Sequence, residues 1–404
     1  LFRAVLLERR EPGILGRFRR KASGGRGAPP VSPRAARGCS RGAAARGFRR
    51  NRGGAADLGF DSPRRLAYTG AMNVNALPKV ELHRHVEGAL RYATMKEWVL
   101  ADRLLPADAP EAQLRDFILI DKPVDGLKVF LEKFGLIHRV LSTPERIRRM
   151  AFEACEDAWN EGVRLLELRY SPVFIQGERA DLDFDRIHAA LLDGIAAAQK
   201  RHPLPVGLIG ILGREWDLPT ATRVTDFFIE NRATVVGLDL ANDEANFGGK
   251  PFAGLFRKAR NAGLHLTVHA GESDIPTSSE SIRSALDDLG AERLGHGVQI
   301  HKDPALMEEV ARRGVILELC PTSNVLTKSI SSIEAYPLRQ IRAAGVRVCI
   351  NADDPGVFDY DLNHEYRLLA ELHGQTAADF VAMNRAALAA SFLPAEVASR
   401  AFRP

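Results

Sequence analysis

Downstream of Val80, short apolar runs alternate with longer segments whose apolar residues recur every three or four positions. The runs at 79–85, 164–169, 205–211, 235–240, 264–269, 292–296, 314–319 and 346–351 read as strands. Most are nearly all apolar, as parallel strands buried on both faces should be. Residues 144–161 read as a helix with Ile147, Met150, Ala151, Ala154, Ala158 and Trp159 on one side, and 304–313 and 333–344 read as two more. Gly162, Gly263, Gly314 and Gly345 stand where helices should stop before the next strand. About eight βα units in one domain of ~330 residues predict an α/β fold, a (β/α)8 TIM barrel. The stretch 88–163 between the first two strands must form several helices and is placed to cap the C-terminal face. A doubly wound open sheet is the alternative, weakened because no GxGxxG turn follows the first strand.

The pattern is absent upstream of residue 72. Residues 1–71 are rich in Arg, Gly and Ala, and segments such as Arg17-Phe18-Arg19-Arg20-Lys21 cannot bury apolar area, so the tail reads as disordered. The expected organisation is a tail over 1–71 and a barrel domain over 72–404. The tail fits a basic arm for nucleic acid, an organelle transit peptide, or an over-extended start. The third account is favoured, since Met72 sits just before the first strand.

Charge is split between these parts. The net charge is +5, but the tail holds 17 Lys and Arg against 4 Asp and Glu, about +13, which leaves about −8 on the remainder. A mildly acidic body argues against nucleic acid as a partner of the folded domain. The chain is 45% apolar, enough for a substantial core, and lacks any uncharged apolar stretch of about 18 residues, so no membrane span is expected. Cys39, Cys155, Cys320 and Cys349 are scattered and form no CxxC pair. That suits reduced thiols in a cytoplasmic enzyme.

The chemistry begins in the first strand. His83 and His85 are two apart, so they share one face. Two neighbouring imidazoles repel if both are protonated, whereas a metal ion binds both as neutral ligands. Active groups of this fold lie at strand C-terminal ends. Other strands here also end on ionisable residues, in His269-Ala270-Gly271-Glu272, His296-Gly297 and Asp353-Asp354-Pro355. Such groups are expensive there unless they pair or bind metal. His83, His85, His269 and Asp353 form a good Zn2+ ligand set that leaves a position for water.

From Leu77 to about Glu396 the chain resembles the adenosine deaminase family of metal-dependent amidohydrolases. The matching stretches, in order, are His83-Arg84-His85-Val86-Glu87-Gly88, Leu168-Arg169-Tyr170-Ser171-Pro172, Gly237-Leu238-Asp239-Leu240-Ala241-Asn242-Asp243-Glu244, His269-Ala270-Gly271-Glu272, Gly295-His296-Gly297, Cys320-Pro321-Thr322-Ser323-Asn324, Asp353-Asp354-Pro355 and Ser391-Phe392-Leu393-Pro394. The resemblance implies hydrolytic deamination of adenosine and 2′-deoxyadenosine to inosine and 2′-deoxyinosine, with loss of ammonia. It implies that Glu272 protonates purine N1, that His296 orients the attacking oxygen, and that Asp354 holds the purine or that oxygen. Glu87, Ser171 and Asn242 would complete the substrate side. Glu272 could instead cap a helix, and His296 could bind a second metal. One zinc per chain is expected, because binuclear relatives bridge two metals with Lys or Glu from the fourth strand. Here that strand shows neither until Glu244.

Two departures bear on substrate. Glu87 stands where nucleoside-acting members usually have Asp; adenine-specific and aminodeoxyfutalosine-acting relatives resemble this chain there. Asn242 stands where the family mostly has Gly, whose N–H meets purine N3; Asn also tolerates left-handed backbone. The stretches around Asp361-Leu362-Asn363-His364-Glu365-Tyr366 and Leu168-Arg169-Tyr170-Ser171-Pro172 favour the nucleoside branch. The competing readings are an adenine or modified-adenosine deaminase, a non-catalytic purine-binding barrel, and a nucleic-acid binder acting through the tail. A dead barrel should have lost a ligand or Glu272, and none is missing. Tail binding predicts a steep salt dependence.

Overall fold

A computed structural model describes residues 72–398; the expectations for residues 1–71 lie outside the described residues. Eight strands follow one another in a single parallel order: β1 (Lys79–His85), β2 (Val163–Tyr170), β3 (Val206–Gly213), β4 (Val235–Ala241), β5 (His265–Ala270), β6 (Arg293–His296), β7 (Ile316–Leu319) and β8 (Arg347–Ile350). Each strand pairs with the next. Helices alternate with them, and the predicted helix 144–161 is Pro144–Asn160, with Thr143 as N-cap and Ile147, Met150, Ala151, Ala154 and Ala158 buried. The helix Pro304–Arg313 stops at Gly314, whose φ of 68° is the left-handed conformation that glycine adopts without strain.

The predicted helix 333–344 is shorter, Leu338–Ala343. Pro337 disfavours helical backbone at Tyr336, so the segment before it turns instead.

The sheet closes between β8 and β1 over a short seam. His85 N–H donates to Asp353 O at 2.9 Å, and Asp353 N–H to His83 O at 3.1 Å. Below this the β1 and β8 backbones are met by side chains: Val80 N–H by Asn384 Oδ1 (2.8 Å), Leu82 N–H by Asn351 Oδ1 (2.9 Å) and Ala352 N–H by Glu81 Oε1 (2.9 Å).

The insertion after β1 forms the helices Tyr92–Ala101, Glu111–Ile118, Leu127–Phe134, Ile137–Val140 and Pro144–Asn160. It lies over the C-terminal face: Ile120 N–H bonds Val357 O, beyond β8, and Val124 N–H bonds Leu326 O, beyond β7. The opposite mouth is plugged by Ser391 and Phe392. Both donate to Glu167 Oε1, at 2.7 and 2.6 Å. The Phe392 ring stacks on His265, the first residue of β5, and lies 3.5 Å from the guanidinium of Arg293, the first residue of β6.

Between plug and cap the barrel interior is charged. Arg293 pairs with Glu167 (2.7 Å) and Glu318 (2.6 Å); Arg169 pairs with Glu318 (2.7 Å) and Asp239 (2.6 Å). All five residues are buried. Charges this deep persist only when each is paired, and removing one partner strands the other.

Candidate active site

His83, His85, His269 and Asp353 converge at the C-terminal ends of β1, β5 and β8. Asp353 Oδ1 lies 3.2 Å from His83 Nε2 and 3.4 Å from His85 Nε2, and the Nε2 atoms of His85 and His269 are 3.3 Å apart. His83 Nε2 and Asp353 Oδ1 are buried and lack a hydrogen-bond partner. Three imidazole nitrogens and a carboxylate oxygen crowded this way satisfy each other poorly, yet they are the donor set a divalent zinc-like ion takes. The residues present therefore fit a metal.

The supports behind these candidate ligands are not among the site residues that the sequence singles out. His83 Nδ1 faces Glu318 at 2.8 Å and His269 Nδ1 faces Asp239 at 2.9 Å. Each carboxylate accepts the Nδ1 proton, so each Nε2 lone pair turns into the cluster. Arg169 ties Glu318 to Asp239 and donates to Leu82 O at 2.8 Å. The signal in the sequence is a charged residue in the middle of an apolar strand, as in Ile316-Leu317-Glu318-Leu319.

The structure brings Glu272 and His296 to the same place. Nε2 of His296 lies 3.8 Å from Glu272 Oε2 and 3.8 Å from Asp353 Oδ2. Burial, reinforced by the charges of Asp353 and Glu244, holds the Glu272 carboxyl well above the usual carboxylate range, the direction that favours its protonated, proton-donating form. It caps no helix: the one after β5 starts at Ser278. Burial also keeps His296 well below the ordinary imidazole range. Glu244 is committed elsewhere, accepting from Gly271 N–H and Ser273 N–H on either side of Glu272.

Asp354 follows Asp353. Burial and the neighbouring carboxylates Asp353 and Glu87 push it well above its ordinary range, and its Oδ1 has no partner. A Cβ on Gly88 would lie 1.7 Å from that oxygen, so any larger residue there would have to displace the Asp354 side chain. Glu87 Oε1 accepts from Ser171 N–H at 2.8 Å, while its buried Oε2 is unpartnered. Burial, opposed by that N–H, pushes Glu87 up to about 7. The Ser171 hydroxyl accepts from Phe174 N–H at 3.2 Å and caps the helix Pro172–Gln176. Asn242 has φ 79°, the left-handed backbone expected of it, and its amide donates to Glu215 at 2.7 Å. His296 (φ 56°) and Asp353 (φ 60°) are left-handed too. Such strain, of order 1–3 kcal/mol per residue, gathers at functional sites.

A parallel eight-stranded barrel with a histidine–carboxylate cluster at its C-terminal mouth and a buried glutamic acid beside it has the architecture of the amidohydrolase fold. A sequence profile described as adenosine deaminase matches residues 78–402, and the chain belongs to the adenosine deaminase family. It is 37% identical over 321 residues to an adenosine deaminase of Edwardsiella ictaluri, and 35% identical over 321 residues to one of Shewanella loihica. Each match covers 79% of this chain and 95% of the relative. Among solved structures, a Burkhoderia ambifaria amidohydrolase with bound Zn superposes with a TM-score of 0.74 at 26% identity, covering 83% of this chain and 92% of that one. The N6-methyl-AMP deaminase of Arabidopsis thaliana gives 0.70 at 26% identity, covering 81% and 96%. The chain is a hydrolytic deaminase. Among the described residues no helix is long and apolar enough to cross a membrane.

Proposed function

We propose that this enzyme deaminates adenosine and 2′-deoxyadenosine, using one zinc ion held by His83, His85, His269 and Asp353. The observation that carries this reading is the crowding of four ligand atoms, of which His83 Nε2 and Asp353 Oδ1 are buried without a hydrogen-bond partner, beside a carboxyl that burial raises well above its usual range. Zinc in such a set supplies Lewis acidity, lowering the pKa of a water towards about 7. The chain's own groups do the rest. Glu272 gives its proton to purine N1 and makes C6 electrophilic. His296 holds the attacking water oxygen. A C6–O bond forms, a proton of the attacking water passes to the C6 amine, the C6–N bond breaks, and the amine leaves as ammonia, one water being consumed for each ammonia released. Asn242 offers its backbone N–H to purine N3, and Asp354 holds the purine or the incoming oxygen. Glu87, with one carboxylate oxygen on Ser171 N–H and the other unpartnered, accepts from a ribose hydroxyl. Three buried free cysteines, Cys155, Cys320 and Cys349, support a cytoplasmic setting.

Glu87 in place of Asp favours a second reading, in which adenine or a modified adenosine is the substrate. Ammonia release from adenine, adenosine, deoxyadenosine, AMP and 6-amino-deoxyfutalosine decides between them. The nucleosides should give the highest kcat/KM; faster turnover of adenine or 6-amino-deoxyfutalosine would promote the second reading.

A further inference from the structure

His296 differs from its neighbours in what its Nδ1 atom meets. Behind His83 and His269 stand carboxylates, which only accept, so those rings carry their proton on Nδ1. Behind His296 stands an amide: Asn324 Nδ2 lies 3.0 Å from its Nδ1. Oδ1 of the same amide accepts from the Tyr336 hydroxyl at 3.0 Å. His296, Asn324 and Tyr336 are all buried. On the ring's other side, Nε2 faces the oxygens of Asp353 and Glu272, each at 3.8 Å. An amide NH2 only donates, so opposite it the ring nitrogen Nδ1 is the acceptor, and a neutral ring then carries its single proton on Nε2. Asn324 then presents its NH2 to the bare Nδ1, and the Tyr336 hydroxyl satisfies the carbonyl end of the amide.

We propose that Asn324, held by Tyr336, is a positioning residue that fixes His296 as the Nε2–H tautomer, making His296 a hydrogen-bond donor to the attacking oxygen rather than a proton acceptor or a second metal ligand. The catalytic part of this rests on the deaminase reading above; the tautomer does not. The arrangement separates two kinds of histidine within one cluster. A carboxylate behind the ring makes a ligand, and an amide behind it makes a donor.

The test is 15N NMR of the metal-loaded, full-length protein labelled at histidine, without substrate, with His296 assigned by difference from His296→Asn. The wild type should show His296 protonated at Nε2 and bare at Nδ1. Asn324→Asp replaces the donor by an acceptor, so it should move the proton to Nδ1 and lower kcat by about tenfold or more with KM little changed. Tyr336→Phe, which frees the amide, should act in the same direction more weakly. A wild-type ring protonated at Nδ1 overturns the proposal, as does an Asn324→Asp protein with unchanged tautomer and kcat. The wild-type spectrum answers the question even if Asn324→Asp fails to fold. Absence of ammonia release from every purine would reject the deaminase reading while leaving the tautomer measurement intact.

Discussion

Asp239 and His269, on adjacent strands, meet at 2.9 Å, and the contact fixes which nitrogen of the ring looks into the cluster. Replacing Asp239 with Asn keeps the shape but removes the charge that makes the imidazole a strong ligand. Metal affinity, measured by competition with a chelator, should fall about 10–100-fold, with some loss of stability because Arg169 keeps only Glu318 as a charged partner. Unchanged affinity would show that the carboxylate does not tune the site.

Metal content itself separates the mononuclear reading from its rival. Elemental analysis of the wild type should give one zinc per chain, and His269→Ala and Asp353→Ala should lose metal and activity together, because an open catalytic site has few spare ligands. Two metals per wild-type chain would contradict the assignment of His296 as a donor.

Glu272→Gln should keep its zinc and lose ~10²–10⁴-fold in kcat, the usual contribution of a general acid. The pH dependence has a defined sign. Burial raises the Glu272 carboxyl, the protonated form is the active one, and kcat should fall as pH rises through that raised value. The Gln variant should lack this alkaline limb. Near-normal turnover in the variant would remove Glu272 from the mechanism.

Gly88→Ala puts a methyl group where Asp354 Oδ1 now lies. Accommodating it should displace Asp354 and cost about 1–3 kcal/mol, seen as a lower melting temperature together with reduced kcat/KM. A variant with wild-type stability and kinetics would mean that Asp354 has room to move and no positional role.

Glu87→Ala tests the sugar side. A hydrogen bond to a charged group contributes about 1.5–3 kcal/mol, so kcat/KM for adenosine should fall by that amount and adenine should barely change. Damage to adenine turnover instead would reject the nucleoside assignment.

Much of this was legible in the chain. The β1 run carries His83 and His85 on one face, and β5, β6 and β8 end in ionisable residues that an apolar strand would not otherwise keep. The resemblance then ordered these into one mouth. The middle of the barrel was less legible. Glu167, Arg169, Asp239, Arg293 and Glu318 each look out of place in an apolar strand, but closure of the sheet, not local sequence, decides which of them meet. Asn324 lies 28 positions from His296, so their contact is likewise a product of closure. Ser391-Phe392-Leu393-Pro394 belongs to the family pattern yet lies at the far mouth, where it caps the charged interior.

The β1–β8 seam has a consequence for assembly of the centre. Elsewhere in the barrel, strand spacing is set by repeated backbone ladders, but here two backbone bonds join the residues proposed as ligands, and the Asn351 and Glu81 side chains substitute for rungs beside them, while Val80 N–H is met by Asn384 of the helix Ala377–Ala390. First and last strands are thus laced by side chains, and the lacing fixes how far His83 and His85 stand from Asp353. Alignment of the chain's two ends and alignment of the ligands become a single event: a barrel whose ends engage one notch out of step would have every strand in place and no centre.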